Sequence, residues 1–460
     1  MHEETAVSAT PISKNVSRLA LGETLAYGSG GFAEMMVFNP ATTFMVFFYT
    51  DIAGIAAATV GTLMLFSRVF DLLNPAMGLL VDRTHSRFGK ARPWLLWMAV
   101  PLGISAVLLF TAPALGPTGK VIYAFITYNL ALTIIYPTID VPYSAMLPLI
   151  TPHQNQRTTL SLTRMSLAML GGLVSFAITL RLVRFFGGGA RGWQNAFIVF
   201  GAITTVLLLV CFFFTKERVK PASIHKTQVP IKLAIASLMQ NKYWLLIAGL
   251  AVVLFLMMGL LGANLYYCRY FLHNVDQFGP LMTMYQITLI VGMVSCGPLI
   301  RKIEKRNTAL LGTGVAILGQ AMIYLAPTSF AMVATGTVIR GIGASPLVGT
   351  LFAMVADTIE YGEWKSGVRA DGLAFGVMVL AMKIAIGIGN VLVGWILGLA
   401  GYVSGADVQS ATTLFAIKSM FLTIPLALLC VTGIILWAYK LDQQYAAIAG
   451  DLKLRRDAAV

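Results

Sequence analysis

The residues able to do chemistry in this chain are ionisable side chains set inside long apolar runs: Glu34, Arg68, Asp71, Asp140, Arg164, Arg340 and Lys383. Such a group in hydrocarbon is costly unless it is paired or lines a wet cavity. These residues therefore either pin helices together or mark the path of a polar solute or ion. Arg68 and Asp71 are one helical turn apart and share a face with Asn74. Tyr136, Asp140 and Tyr143 form a second polar stripe at i, i+4 and i+7, and Lys383 shares its face with Gly387 and Asn390. Arg157 and Arg164 stand two turns apart. The sequence holds no phosphate-cradling loop, no His pair at metal spacing and no nucleophile elbow. The chemistry implied is binding rather than bond-making. The chain is not expected to be an enzyme, no metal or other cofactor is expected, and energy must come from an ion or solute gradient.

Those residues need a scaffold that holds them in a bilayer. The chain has 460 residues, 57% of them hydrophobic and 11% charged, against about 25% charged in a soluble domain. Its mean hydropathy is +0.78. So few charges cannot cover a water-facing surface. The net charge of +14 would suit nucleic acid, but the Lys and Arg sit in short loops between apolar runs, so no nucleic-acid partner is expected. Cys211, Cys268, Cys296 and Cys430 lie inside apolar runs and read as small core side chains. The polar start of the chain carries no apolar core of a signal peptide.

Runs of spanning length fall near 25–49, 54–80, 94–112, 121–149, 158–183, 194–214, 243–271, 279–299, 308–326, 330–356, 372–401 and 412–438. The expected fold is an all-α polytopic membrane protein of about twelve transmembrane helices. Its expected parts are an N-terminal tail (1–22), a six-helix half (23–215), a middle loop (216–242), a second six-helix half (243–439) and a C-terminal tail (440–460). Basic residues follow the even-numbered spans, as at Arg83, Arg87, Lys90 and Arg92, at Lys216 and Arg218, and at Arg301 and Lys302. This places both tails and the middle loop in the cytoplasm of a cell whose inner membrane the chain spans. The segment Gly78-Leu-Leu-Val-Asp-Arg83 after span two is echoed by Gly297-Pro-Leu-Ile-Arg-Lys302 after span eight. That echo implies two parallel halves with a site at their interface.

The chain resembles the glycoside–pentoside–hexuronide:cation symporters of the major facilitator superfamily. The resemblance rests on Phe48-Tyr-Thr-Asp51, on Gly61-Thr-Leu-Met-Leu-Phe-Ser-Arg-Val-Phe-Asp71, and on the loop Asp82-Arg-Thr-His-Ser-Arg-Phe-Gly-Lys-Ala-Arg-Pro-Trp94. It rests also on Asp140-Val-Pro-Tyr143, and on Ala356-Asp-Thr-Ile-Glu-Tyr-Gly-Glu-Trp-Lys365 with Gly367-Val-Arg-Ala-Asp-Gly372, which follow span ten. It implies the major facilitator fold and cation-coupled symport of a sugar or glycoside by alternating access. A lipid-like or other amphiphilic solute on the same scaffold is the alternative. By the resemblance, Asp140 and Arg164 hydrogen-bond sugar hydroxyls, with Glu34, Tyr143 and Arg340 as further substrate-binding candidates. Asp71 is the cation-site carboxylate, with Asn74 and Lys383 beside it. Asp82, Arg83, Arg87, Lys90 and Arg92, with Asp357, Glu363 and Arg369, form a cytoplasmic gate.

The departures from the family pattern are informative. The melibiose carrier's second span-two carboxylate is absent here, its span-one Asp falls on Met35, and its tryptophan after the span-four Asp falls on Ser144. These differences point away from melibiose. They favour a proton over sodium as coupling ion, sodium near Asp71 being the alternative. The intramembrane cations Arg68, Arg164, Arg340 and Lys383 outnumber Glu34, Asp71 and Asp140 by one. A hexuronide or glucuronide is therefore the specific solute candidate. For the gate, Arg87→Ala is expected to slow transport while equilibrium substrate binding stays nearly intact. Turnover equal to the parent's would show that the loop only sets topology.

Overall fold

The computed structural model describes residues 20–70, 77, 80–81, 83–84, 86–219, 231–367 and 371–457. Asp71, Asn74, Asp82 and Arg369 lie outside the described residues, as do residues 1–19 of the expected N-terminal tail and 220–230 of the middle loop.

The first half is built from α1 (Leu21–Phe47), α2 (Ala57–Phe70), α3 (Arg92–Leu109), α4 (Pro117–Ile150), α5 (Gln154–Phe185) and α6 (Gly189–Phe214). The second half is built from α7 (Lys242–Tyr270), α8 (Val275–Ser295), α9 (Lys305–Leu325), α10 (Phe330–Ser366) and α11 (Asp371–Leu399). Its last helix, α12, runs from Ala411–Lys418 through a π-turn, Ser419–Thr423, into Ile424–Ala438. Ten helices among the described residues are long and apolar enough to span a membrane. To these are added α1, whose polar positions include Glu34 and Asn39, and α2, described as far as Phe70. Large apolar side chains such as Phe213, Leu318 and Leu325 face outward, as hydrocarbon surroundings allow.

Two prolines leave a visible mark. A proline has no N–H for the ladder and its ring crowds the turn before it. The π-turn Asn129–Ile135 in α4 precedes Pro137, and the π-turn in α12 precedes Pro425. The wider turn absorbs the lost bond and rotates the residues that follow.

One expectation needs correction. The segment Ala356–Lys365 does not follow span ten as a loop; it is the last part of α10. Ile359 and Tyr361 are buried there, so the helix still has a core to pack against. It stops at Gly367, whose φ of +71° is left-handed and whose N–H bonds to Glu363 O at 2.8 Å.

Within the halves the pairing is parallel. α1 packs on α5 and α6 and α3 on α6, while α7 packs on α11 and α12 and α9 on α12. Between the halves, α2 packs on α11 and α5 on α8. A two-fold exchange of the halves turns one seam into the other. The α2–α11 seam is a backbone contact: a Cβ on Gly394 would sit 2.7 Å from the backbone N of Gly61. Nothing larger than glycine fits without moving a helix.

Beyond that seam the halves are tied by polar groups. Asp51, whose side chain is 2% exposed, meets Arg269 at 2.5 Å. The same carboxylate accepts from Tyr402 OH at 2.7 Å and from Thr50 Oγ1 at 2.7 Å. Thr50 also meets Tyr266 OH at 2.7 Å, and Ser404 Oγ donates to Thr50 O. These ties lie at the end of α1 remote from the N-terminus. At the opposite end the polar ties described stay within one half, as in Glu23–Arg218 at 2.7 Å and Lys305–Asp357 at 2.5 Å. Among the described residues, the polar ties that close the bundle across the two halves thus lie at the end remote from the N-terminus.

Asp51→Ala and Arg269→Ala are each expected to lower the thermal stability of the purified protein, with a coupling of about 1–3 kcal/mol in the double-mutant cycle. Strictly additive losses would show that the pair is not an energetic unit.

Candidate functional site

Halfway along the first half, α1, α4 and α5 bring three charges together. Arg164 of α5 is the centre. Its Nη2 lies 3.3 Å from Asp140 Oδ1 and 3.6 Å from Glu34 Oε2. Its Nη1 donates to Ser144 Oγ at 2.9 Å. The guanidinium also stacks over the Tyr143 ring, 4.2 Å from the centroid. Asp140 and Tyr143 share one face of α4 after its π-turn, as their spacing predicts.

Tyr143 is fully buried and faces away from open space. Its hydroxyl accepts from Gly31 N at 2.9 Å and donates to Tyr27 O. It fixes the ring on which Arg164 rests. Ser144, next along α4, accepts from Arg164 and adds a neutral partner to the guanidinium.

Lys383 of α11 extends the cluster across the interface, with Nζ 3.5 Å from Asp140 Oδ2. Asp140 therefore has a cation at each oxygen, one from each half. The side chains of Arg164, Asp140 and Lys383 are 22%, 24% and 31% exposed, whereas Glu34 is 3% exposed. The first three line accessible space; Glu34 lies behind them.

The other sequence candidates fall elsewhere. Arg68 donates to Tyr128 OH at 2.7 Å and packs on Gly387 of α11, where a Cβ would come 2.4 Å from its Cδ. Arg340 is buried within the second half. It donates to Gln320 Oε1 at 3.0 Å and lies near the rings of Tyr285 and Phe421, so it does not join the Arg164 cluster. Asp357 pairs with Lys305, which ties α10 to α9. Arg83 is exposed, and Arg87 lies over the Phe88 ring.

The loop before α3 is held by a residue that spacing did not single out. Glu217, just after α6, accepts from the backbone N of Lys90, Ala91 and Arg92 at 2.9, 2.9 and 2.8 Å. These are the unpaired N–H groups of the α3 N-terminus, where a carboxylate is favoured. Arg92 reaches back to Phe212 O at 2.7 Å. Next to Glu217, Arg218 pairs with Glu23, whose carboxylate holds the guanidinium pKa above its ordinary value. The signal for Glu217 was an acid beside a helix N-terminus in space, which no local pattern reveals. Asp51 was visible within its motif, but its partner Arg269 is on another helix.

Comparison with known proteins places this geometry in context. The chain matches the family model described as MFS/sugar transport protein over residues 26–443. It is 32% identical to an isoprimeverose transporter of Lactiplantibacillus pentosus, covering 97% of this chain and 93% of that protein. It is 33% identical to the inner membrane symporter YicJ of Escherichia coli (strain K12), covering 92% of each. Among solved structures, a bacterial homologue of the human lysosomal transporter Spinster superposes with a TM-score of 0.59 at 17% identity, over 94% of this chain and 97% of that one. That likeness concerns the fold.

Glu217→Ala is expected to destabilise the folded protein by about 1–3 kcal/mol, because three backbone donors lose a charged acceptor. Thermal melting checks this, with Glu217→Gln expected to recover part of the loss. A melting temperature equal to the parent's would show that water replaces the carboxylate at no cost.

Proposed function

The chain belongs to the MFS/sugar transport protein family, and from that premise we propose that it carries a sugar or glycoside across the inner membrane together with a cation. The observation that carries this reading is the chain Arg164–Asp140–Lys383, part-exposed at the interface of the two halves. A carboxylate accepts from two neighbouring hydroxyls, and a guanidinium fork donates to them. A sugar's vicinal hydroxyls suit both. The solute enters between Asp140 and its cations and takes over part of their bonding. Glu34 and Tyr143 hold Arg164 from behind.

Alternating access follows from the packing. The glycine-backed seams let one half rock on the other, and the Asp51–Arg269 group breaks as the closed side opens. The side that carries the N-terminus and the basic loops is the cytoplasmic side on this reading; both termini are then cytoplasmic.

The relatives named symporters imply coupling to a cation. A proton is the ion proposed, with Asp71 and Asn74 of span two as its site by family resemblance. A proton is preferred to sodium because span two offers one carboxylate, Asp71, and the amide of Asn74, where a sodium site wants several oxygen ligands. A hexuronide is the solute proposed: two cations, Arg164 and Lys383, line the accessible space beside the one carboxylate of Asp140, with Glu34 behind them, so an acidic group is favoured there.

The test is uptake of a panel of sugars into vesicles, with a pH gradient at fixed sodium and a sodium gradient at fixed pH. Stimulation by the pH gradient is expected; stimulation by sodium alone overturns the ion, and uptake of no sugar overturns the function. A neutral glycoside that outcompetes its uronate counterpart overturns the hexuronide. Asp140→Asn is expected to weaken sugar binding by about 1.5–3 kcal/mol, tenfold or more. Binding within about twofold of the parent would remove Asp140 from the site.

A further inference from the structure

Glu34 has a feature that the sugar site does not use. Its Oε2 faces Arg164 at 3.6 Å, while Oε1 is buried with no hydrogen-bond partner. Among the described residues, no other carboxylate has a buried oxygen left in that state. An ionised carboxylate accepts at both oxygens. Leaving one without a donor in a low-dielectric interior forfeits its hydration for nothing. A proton on Oε1 removes that cost, since the neutral acid needs far less solvation.

The surroundings select Glu34 for this role. The titratable groups facing it are Tyr27 of its own helix, Asp140, Tyr136 and Tyr143 of α4, Arg164 of α5, Cys211 of α6 and Lys383 of α11. α7 meets α1 further along, at Thr43. The phenols and the thiol keep their protons at neutral pH. Asp140 has a cation at each oxygen and is part-exposed, so its charge is compensated. Among the described residues, Glu34 shares the Arg164 guanidinium with Asp140, while the Lys383 ammonium is bound to Asp140.

We propose that Glu34 carries the coupling proton and reports its state to the sugar site through Arg164. Ionised, Glu34 competes with Asp140 for the Arg164 fork. Protonated, it lets go of the guanidinium, which then serves Asp140 and the sugar. The proton reaches Oε1 from water on one side and leaves to water on the other; the O–H bond is the only covalent bond made or broken. This assignment rests on the proton-symport reading above and adds a second acid to the Asp71 of that reading.

The experiment uses purified full-length protein in lipid nanodiscs and in vesicles. Infrared difference spectra between acid and alkaline pH are expected to show a protonated carboxyl C=O band in the parent. That band is expected to be diminished in Glu34→Gln, by the component that titrates nearest neutral pH, and to keep that component in Asp140→Asn. A band undiminished in Glu34→Gln overturns the proposal. In vesicles, Glu34→Gln is expected to lose accumulation driven by the pH gradient while retaining a reduced but measurable exchange of labelled for unlabelled sugar. Glu34→Asp, which keeps a titrating group, is expected to retain some driven accumulation. Driven accumulation by Glu34→Gln at the parent level overturns the proposal. A parent driven by sodium alone overturns the ion reading and this proposal together, and the parent's own gradient response tells that outcome from a failure of Glu34 alone.

Discussion

A guanidinium in the middle of a membrane protein must be surrounded by acceptors, and the first half of this chain is arranged to meet that demand at Arg164. Helices α1 and α4 supply what Arg164 of α5 needs: Glu34 and Asp140 as acids, Ser144 as a hydroxyl and Tyr143 as a ring face. The demand reaches further than the charges. The Tyr143 hydroxyl bonds the backbone of α1 at Gly31 and Tyr27, so the ring cannot turn without loosening the α1–α4 contact. The charge cluster and the helix packing are therefore one network, and a group that displaces Asp140 from Arg164 is felt by three helices.

The two halves are joined by a different kind of contact. Where α2 meets α11, glycine faces glycine and backbones touch. No side chain has to change rotamer for such a surface to roll, and small residues allow close approach. Specific polar bonding is concentrated at the closed end, around Asp51 and Arg269. The seam supplies proximity and the end group supplies the choice of state. Lys383 stands between them as the charge that reaches from the second half to Asp140.

Much of this was legible in the residues. The Asp140–Arg164 pair could be read because charges in apolar runs are rare and must find each other. The helix count followed from run length. What could not be read were relations between distant segments. Lys383 pairs with Asp140, a partner that its own helix face does not specify, while Asp71, beside which it was expected, lies outside the described residues. Arg340 was grouped with the midplane charges by depth alone, whereas its direction on α10 sends it to Gln320. The end of span ten was set too early, since a run of mixed polarity looks like a loop until Tyr361 is seen to have a core beneath it.

The charge count of the cluster has an electrical consequence. Glu34, Asp140, Arg164 and Lys383 sum to zero when all are ionised. An empty carrier that reorients in this state moves no net site charge through the membrane, so the membrane voltage has nothing to act on. With one proton and a neutral sugar aboard, the same cluster bears a single positive charge, and moving it through the whole field is worth about 2.3 kcal/mol per 100 mV. With an acidic sugar aboard, the sum returns to zero and the loaded step also becomes silent. The current that accompanies transport would then report the charge of the solute, set by four side chains that balance each other when nothing is bound.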